Sequence, residues 1–403
     1  MRIPKKQLIG LLLLLTQVCF GQERDSSFRK KALTTLDVQA FFSMYTQEGT
    51  HSAVTGGEGD EHLEVYHTGA NVAYGINSSL IIFDASVDVI TSPSTDKINF
   101  IKSSASEHDN HVQARIGYQY SLKKHNISFG AAYMLGIESD YWSDGISTWF
   151  SWGSKNKMRS ISIATDFFFD DLRWGRLSPS QGFKPTRLIY PVELRYIDWF
   201  GIYHRNSYNI NLNVRQDINK RLRLNLGLGA TYQEGLLSTP FHRVYFINST
   251  DPKVENLPRQ RIRLPLSIAA NWFFKQTLVF QPSYRFYWDN FGIWAHTLAL
   301  QTAIKPNNKI TLYPFVRGYY QQGSPYFAPY GAHQPSSIYY TSDYDFSTLG
   351  SIKAGIGIGW FPDARLGKKS SFYFNNVILR YAFFYRTDGL YAHIISLQVG
   401  LKK

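Results

Sequence analysis

Apolar and polar residues alternate almost without a break from Tyr208 to Tyr232. Tyr208, Ile210, Leu212, Val214, Ile218, Leu222, Leu224, Leu226, Leu228, Ala230 and Tyr232 make one series. Asn209, Asn211, Asn213, Arg215, Asp217, Arg223, Asn225, Gly227, Gly229 and Thr231 make the other. A β-strand sends successive side chains to opposite faces, so these are two strands with one apolar and one polar face. Asn219-Lys220-Arg221 supplies the tight polar turn between them. A secreted sandwich could use such a hairpin. If the pattern recurs in strands of about 9–11 residues with aromatics at the ends of the apolar band, a transmembrane barrel explains it better.

The pattern recurs along the whole chain. Strands are expected at about 36–47, 62–76, 80–90 and 111–122. In the third, Ile81, Phe83, Ala85, Val87 and Val89 oppose Ile82, Asp84, Ser86 and Asp88. The fifth carries Ile127, Phe129, Ala131, Tyr133 and Leu135, the sixth Ile146, Thr148, Phe150 and Trp152, and the seventh spans about 158–168. Residues 170–205 hold Pro179, Pro185 and Pro191 and are read as a loop with an extended piece at 192–200. The hairpin above supplies strands eight and nine. Strands ten to thirteen follow at about 262–274, 278–288, 293–304 and 309–320, and strands fourteen to sixteen at about 351–360, 371–386 and 390–402.

Connection lengths sort by parity. Even-to-odd connections are short: 77–79, 123–125, 154–157, 219–221, 275–276, 305–308 and 362–369. Every long one is odd-to-even: 48–61, 91–109, 170–205, 233–261 and 321–349. Outer-membrane barrels pair short periplasmic turns with longer external loops. The expected fold is therefore an all-β, up-and-down antiparallel transmembrane barrel of about sixteen strands, with fourteen or eighteen as the alternatives around 170–205. It forms one domain, 36–403, after a periplasmic tail at 22–35.

Composition narrows the compartment. Aromatic residues make up 16% of the chain, as two aromatic girdles require. The N-terminus reads as a signal peptide, 1–21: Arg2, Lys5 and Lys6, then Leu8 to Leu15, then small residues Cys19 and Gly21 before a cut ahead of Gln22. A lipoprotein reading of Cys19 competes, but Val18 is bulky where a small residue belongs. Removal of three basic and no acidic residues takes the net charge from +13 to +10. A basic surface suits anionic outer-membrane lipid, and dispersed Lys and Arg behind a secretion signal speak against nucleic acid. Loss of Cys19 leaves no thiol.

No enzyme pattern stands out: there is no Gly-rich phosphate loop, His-Glu-x-x-His or Gly-x-Ser-x-Gly. His296 and His393 read as lumenal or girdle residues. The conspicuous feature is charge at the external strand ends: Asp88 with Asp96; Glu138, Asp140 and Asp144; Asp170 and Asp171; Asp289; Asp343 and Asp345. Arg259, Arg261 and Arg263 are the basic counterparts, with Arg285 and Arg317 further in. Alternation points Asp84, Asp88, Arg263, Arg285, Asp289 and Arg317 into the lumen, because a charge facing lipid would cost about 2–4 kcal/mol. Three readings are open: a salt-bridge lattice bracing the wall, a vestibule selecting a polar solute, or a hard-cation site. No acidic run has EF-hand spacing, so neither a metal nor a cofactor is expected.

Several of these stretches carry a resemblance. Val87-Asp88-Val89-Ile90-Thr91-Ser92-Pro93-Ser94, Glu138-Ser139-Asp140-Tyr141, Leu257-Pro258-Arg259-Gln260-Arg261, Tyr313-Pro314-Phe315-Val316-Arg317 and Thr341-Ser342-Asp343-Tyr344-Asp345 resemble the motifs of the bacterial domain-of-unknown-function 3570 family. The most specific segment runs from Tyr284 through Arg285, Trp288, Asp289 and Phe291 to Thr297. The likeness extends from about 36 to the C-terminus. It implies an outer-membrane barrel of Gram-negative bacteria, often Bacteroidota, and carries over no activity, ligand or catalytic residue. The favoured function is a pore for small polar solutes, lined by Asn209, Asn211, Asn213, Arg215 and Asn225. The alternative is a closed barrel that docks a secreted or periplasmic envelope protein through the aromatic loops 170–205 and 321–349. A lipid hydrolase would need a Ser-His pair at the membrane rim, and none can be nominated.

Overall fold

The computed structural model describes residues 34–91, 108–138, 142–172, 203–362, 364–367 and 370–403. Its strands are β1 Thr34–Gly49, β2 Glu61–Ile76, β3 Ser79–Thr91, β4 His108–Leu122, β5 Ile127–Ile137 and β6 Trp142–Gly153. Next come β7 Arg159–Asp171, β8 His204–Asn219, β9 Leu222–Gly235, β10 Arg243–Val244, β11 Lys253–Val254 and β12 Gln260–Lys275. Last are β13 Leu278–Asp289, β14 Trp294–Ile304, β15 Ile310–Gln322, β16 Leu349–Trp360, β17 Tyr373–Arg386 and β18 Tyr391–Lys402.

Among the described residues, sixteen antiparallel strands close a barrel, and β10 and β11 form a separate two-stranded ribbon. β1 seals the wall against β18, in register from Asp37 opposite Lys402 to Glu48 opposite Tyr391. Closure leaves no sheet edge, which is what lets a sheet stand in hydrocarbon.

The β8–β9 hairpin shows how alternation sets the register. Ile210, Leu212 and Val214 face Ala230, Leu228 and Leu226, while Asn209, Asn211, Asn213 and Arg215 face Thr231, Gly229, Gly227 and Asn225. The Thr231 hydroxyl donates to the Asn209 side-chain oxygen at 2.7 Å. A bulge between Asp217 and Asn219 shifts the register beside the turn, where the Arg221 amide donates to Asn219 Oδ1.

Apolar faces point outward all round the wall. Leu228 is 52% exposed and Leu298 is 66% exposed. A continuous apolar belt of this kind is stable only against lipid. One end of the belt carries Tyr120, Phe129, Trp152, Trp272 and Trp360, and the other Phe169, Trp288, Trp294, Tyr320 and Tyr391. His296 and His393 lie on the outer face within the second girdle, with Tyr284 at 2.7 Å and Tyr381 at 2.9 Å from their Nδ1 atoms. Leu298→Arg is expected to destabilise the folded protein by about 2–4 kcal/mol. Urea unfolding in lipid vesicles reads this, with Asn213→Lys on the inner face as the near-neutral comparison. A neutral Leu298→Arg would show that this face does not meet lipid.

Among the described residues, the tight turns after β2, β4, β6, β8, β12 and β14 lie at one barrel end with the longer 361–372 connection, and the loops 50–60, 236–259 and 323–348 lie at the other, where 290–293 and 387–390 are short. Boundaries differ from expectation in a few places. β1 begins at Thr34, because Thr34 and Thr35 continue the ladder opposite Ile76 and Gly75 and so leave the expected tail. Asp170 and Asp171 extend β7 and pair with Arg205 and His204 of β8, narrowing the expected 170–205 loop. The expected extended piece at 192–200, the signal peptide and most of the tail lie outside the described residues.

Candidate functional site

Among the described residues, three loops pack together at the long-loop end. In residues 236–259, the β10–β11 ribbon buries Val244, Phe246, Val254 and Leu257. Residues 323–348 lie against it: the Ile247 amide donates to the His333 carbonyl at 2.9 Å, and Asn256 and Tyr340 exchange two backbone hydrogen bonds. The 50–60 loop completes the cap. Gly57 has φ +87°, and a Cβ there would lie 2.6 Å from the Ser342 carbonyl oxygen, so only glycine permits the approach. The His51 ring stacks on Tyr344, with centroids 3.7 Å apart.

Loop 323–348 also folds inward. Asp343 caps the single turn Tyr344–Phe346 by accepting from the Asp345 amide at 2.8 Å. Inward-facing wall residues hold that turn. Gln321 of β15 donates to the Asp345 and Ser347 carbonyls at 2.8 and 2.6 Å. Arg386 of β17 pairs with Asp345 at 2.6 Å and with Asp388 at 2.6 Å. The Arg261 guanidinium of β12 lies 4.6 Å from the Phe291 ring centroid and 5.5 Å from that of Phe346.

Asp289 closes this knot. It points inward as expected, but it is 0% exposed and sealed from the lumen. Its carboxylate accepts from Arg261, from the Tyr287 hydroxyl at 2.8 Å, and from the Phe291 and Ile293 amides at 3.0 and 3.1 Å. Asp289 and Arg261 are thus saturated structural partners rather than charges a solute could touch.

The remaining expected charges divide by location. Asp84 accepts from Asn71 and lies 3.6 Å from Arg115, whose guanidinium sits 5.1 Å from the Trp149 ring centroid. Asp88 binds His67 at 2.5 Å, with His111 at 3.4 Å. Asp170 pairs with Arg205 at 2.7 Å. Asp84, His111, Arg115, Asp170, Arg205 and Arg263 line an inner cavity of about 660 Å³, where the Arg263 Nε finds no partner. Arg259 is exposed in the cap loop, and its carbonyl accepts from the Gly235 amide. Glu138 is half-buried just past β5, and Asp140 and Asp96 lie outside the described residues.

Arg285 and Arg317 are exposed on the inner face of β13 and β15. Arg317 stands directly opposite Lys353 of β16. Two cations so placed repel each other. Among the described residues no carboxylate pairs with Arg285, Arg317 or Lys353. Lys353 was open to sequence reasoning, since alternation puts it on the polar face of its strand, but its like-charged neighbour comes only from the register.

In a second grouping only Asp343 is marked by the sequence, and His242 and Glu255 carry no signal there. His242, Glu255 and Asp343 place one donor atom each within 4.8 Å of one another. They adjoin a pocket of about 460 Å³ between cap and wall, lined by Tyr45, Glu61, His242, Asp343, Asp345 and Arg386 among others. Burial pushes the His242 imidazole down, but the carboxylates of Glu255, Asp343 and Asp345 outweigh it and hold it at about 8. Burial pushes the Asp343 carboxyl up to about 6, against the opposing pull of His242.

Wall, cap and interior together define a sixteen-strand barrel with an apolar belt outside, a charged lumen inside and one loop turned into its mouth. The chain belongs to the family described as protein of unknown function (DUF3570), whose model matches residues 83–366, a narrower span than the resemblance from residue 36 onward. No curated protein matches the chain. Similar solved structures include OccK1 (OpdK) of Pseudomonas aeruginosa, at 8% identity over 92% of this chain and 98% of that one, TM-score 0.41. A BenF-like porin from Pseudomonas fluorescens has 9% identity over 94% and 100%, TM-score 0.42. OccAB3 of Acinetobacter baumannii has 6% identity over 92% and 99%, TM-score 0.43. Likeness this distant assigns no function.

Proposed function

We propose that the protein is a non-enzymatic channel in the outer membrane of a Gram-negative bacterium, passing small polar solutes and favouring anions. The apolar belt and its two aromatic girdles support the membrane setting, with outer-membrane lipid as the partner of the wall. The observation that carries the solute class is the Arg317–Lys353 pair on the inner wall, with Arg285 on the same face across β14 and no carboxylate paired with any of the three among the described residues. Evolution of a stable wall alone would favour opposite charges in register. A strip of like charge is useful where an anion passes, since rings of Arg and Lys select anions in pores.

Single-channel recording in a planar bilayer tests this. Discrete steps with anion preference are expected. A unit charge about 8 Å away in water contributes about 0.5 kcal/mol, so Arg317→Ala and Lys353→Ala should each lower the anion-to-cation permeability ratio roughly two- to sixfold. A folded barrel without conductance, or a ratio indifferent to both changes, sinks the reading.

A second reading has its own observation. Ile338 is 72% exposed on the cap, beside exposed Tyr330 and Tyr339. Aromatic and aliphatic side chains offered this way suit docking of an envelope protein. Removal of 329–339 that leaves conductance intact but abolishes co-purification of such a partner would favour it.

A further inference from the structure

We propose that His242, Glu255 and Asp343 bind a divalent first-row transition ion, with Zn²⁺ the best match. The site stands apart from the channel reading, because it lies in the cap and not in the barrel wall.

Three observations carry the assignment. The first is spacing. His242 Nδ1 lies 3.5 Å from Glu255 Oε1 and 3.7 Å from Asp343 Oδ2. Ligands held at about 2.0–2.2 Å around a tetrahedral ion lie about 3.3–3.6 Å apart. Both histidine–carboxylate distances are thus long for a hydrogen bond and close to the separation that a shared ion imposes, and all three donors lie within 4.8 Å of one another.

The second is an unmet donor. His242 Nδ1 is shielded from solvent and has no hydrogen bond of good geometry, its two carboxylate neighbours standing off at 3.5 and 3.7 Å. A buried ring nitrogen held from two carboxylate oxygens at more than ordinary hydrogen-bond length is under-bonded. An ion between the three would satisfy it.

The third is the outer support. Glu255 Oε1 accepts from the Thr341 hydroxyl at 2.5 Å, and Oε2 accepts from the Thr239 amide at 2.6 Å. Asp343 Oδ1 accepts from the Asp345 amide, which leaves Oδ2 turned toward His242. Groups fixed in this way from behind are typical of ligands oriented for a metal. The adjoining pocket lined by His242 and Asp343 supplies an entry path and room for a fourth ligand such as water.

The donor set restricts the ion. One imidazole among carboxylates suits zinc and its neighbours, all-oxygen sites suit Ca²⁺ and Mg²⁺, and soft thiolates suit Cu(I). His242 and Glu255 come from loop 236–259 and Asp343 from loop 323–348. A bound ion would therefore clasp the two halves of the cap together, next to the turn that reaches the barrel wall.

The test is calorimetric titration of Zn²⁺ into the full-length, folded protein after chelator treatment. One equivalent is expected to bind. His242→Ala and Glu255→Gln should each weaken binding by more than about 100-fold, and Thr341→Val, which removes only outer support, by about 10–100-fold. Because a cap variant could lose its packing, X-ray absorption at the zinc edge of the wild-type protein gives an independent reading: nitrogen and oxygen ligands with one imidazole are expected. No uptake by the wild type, uptake unchanged in His242→Ala, a preference for Ca²⁺ or Mg²⁺, or a spectrum without imidazole would each overturn the site.

Discussion

Asp289→Ala is expected to destabilise the folded protein by about 3–5 kcal/mol, the cost of stripping a buried charge of its partner. Asp289 is fully buried, and the Arg261 guanidinium beside it is nearly so. Without the carboxylate, Arg261 keeps the Phe291 and Phe346 rings, and cation–π contacts of about 0.5–2 kcal/mol do not replace a desolvated ion pair. The Phe291 and Ile293 amides lose their acceptor as well, which loosens the β13–β14 turn. Asp289→Asn keeps a side-chain oxygen for those amides but still leaves Arg261 unpaired, so its loss should fall below that of Asp289→Ala. Reversible urea unfolding in vesicles, followed by tryptophan fluorescence, measures both. A change under about 1 kcal/mol in Asp289→Ala would mean that Arg261 swings out to water and the knot adds little.

Arg386→Ala is expected to free the inward turn from the wall. Arg386 holds Asp345 with one nitrogen and Asp388 with two, and Asp388 also caps the Leu390 amide across the hairpin tip. The expected loss is about 3 kcal/mol and comes from Asp388, its side chain nearly buried and left without its partner, because Asp345 is 70% exposed and water screens that pair. The larger effect should be local. The Phe346 and Ser347 amides bond within the turn itself, to Asp343 and Tyr344, and should lose hydrogen-exchange protection once the turn moves. In the channel reading, the single-channel current should rise with it. Unchanged exchange and current would show that Gln321 holds the loop without help from Arg386.

The barrel was legible because its determinants are local. Ile210, Leu212 and Val214 alternate with asparagines, and a two-residue turn then fixes which partner each one meets. The same alternation put Asp84, Asp88, Arg263, Arg285 and Arg317 on the inner face. Strand ends were less legible. At Thr34 and Asp170 the ladder continues through residues whose side chains show no alternation, since hydrogen bonding to the neighbouring strand decides where a strand stops.

Charge partners were not legible at all. Asp289 reads in sequence as one more acidic residue at a strand end, yet its environment is set by Arg261, Tyr287 and the turn that follows. Arg317 gains its like-charged neighbour only through the β15–β16 register. Glu255 and Thr341 meet across 86 residues, and neither belongs to a periodic segment that could announce the contact. Periodicity along one chain determined the sheet, its closure and its inside and outside, because a strand's two faces repeat every second residue. The cap, the inward turn and the His242–Glu255–Asp343 grouping were decided by tertiary structure, because irregular loops take their conformation from what they pack against.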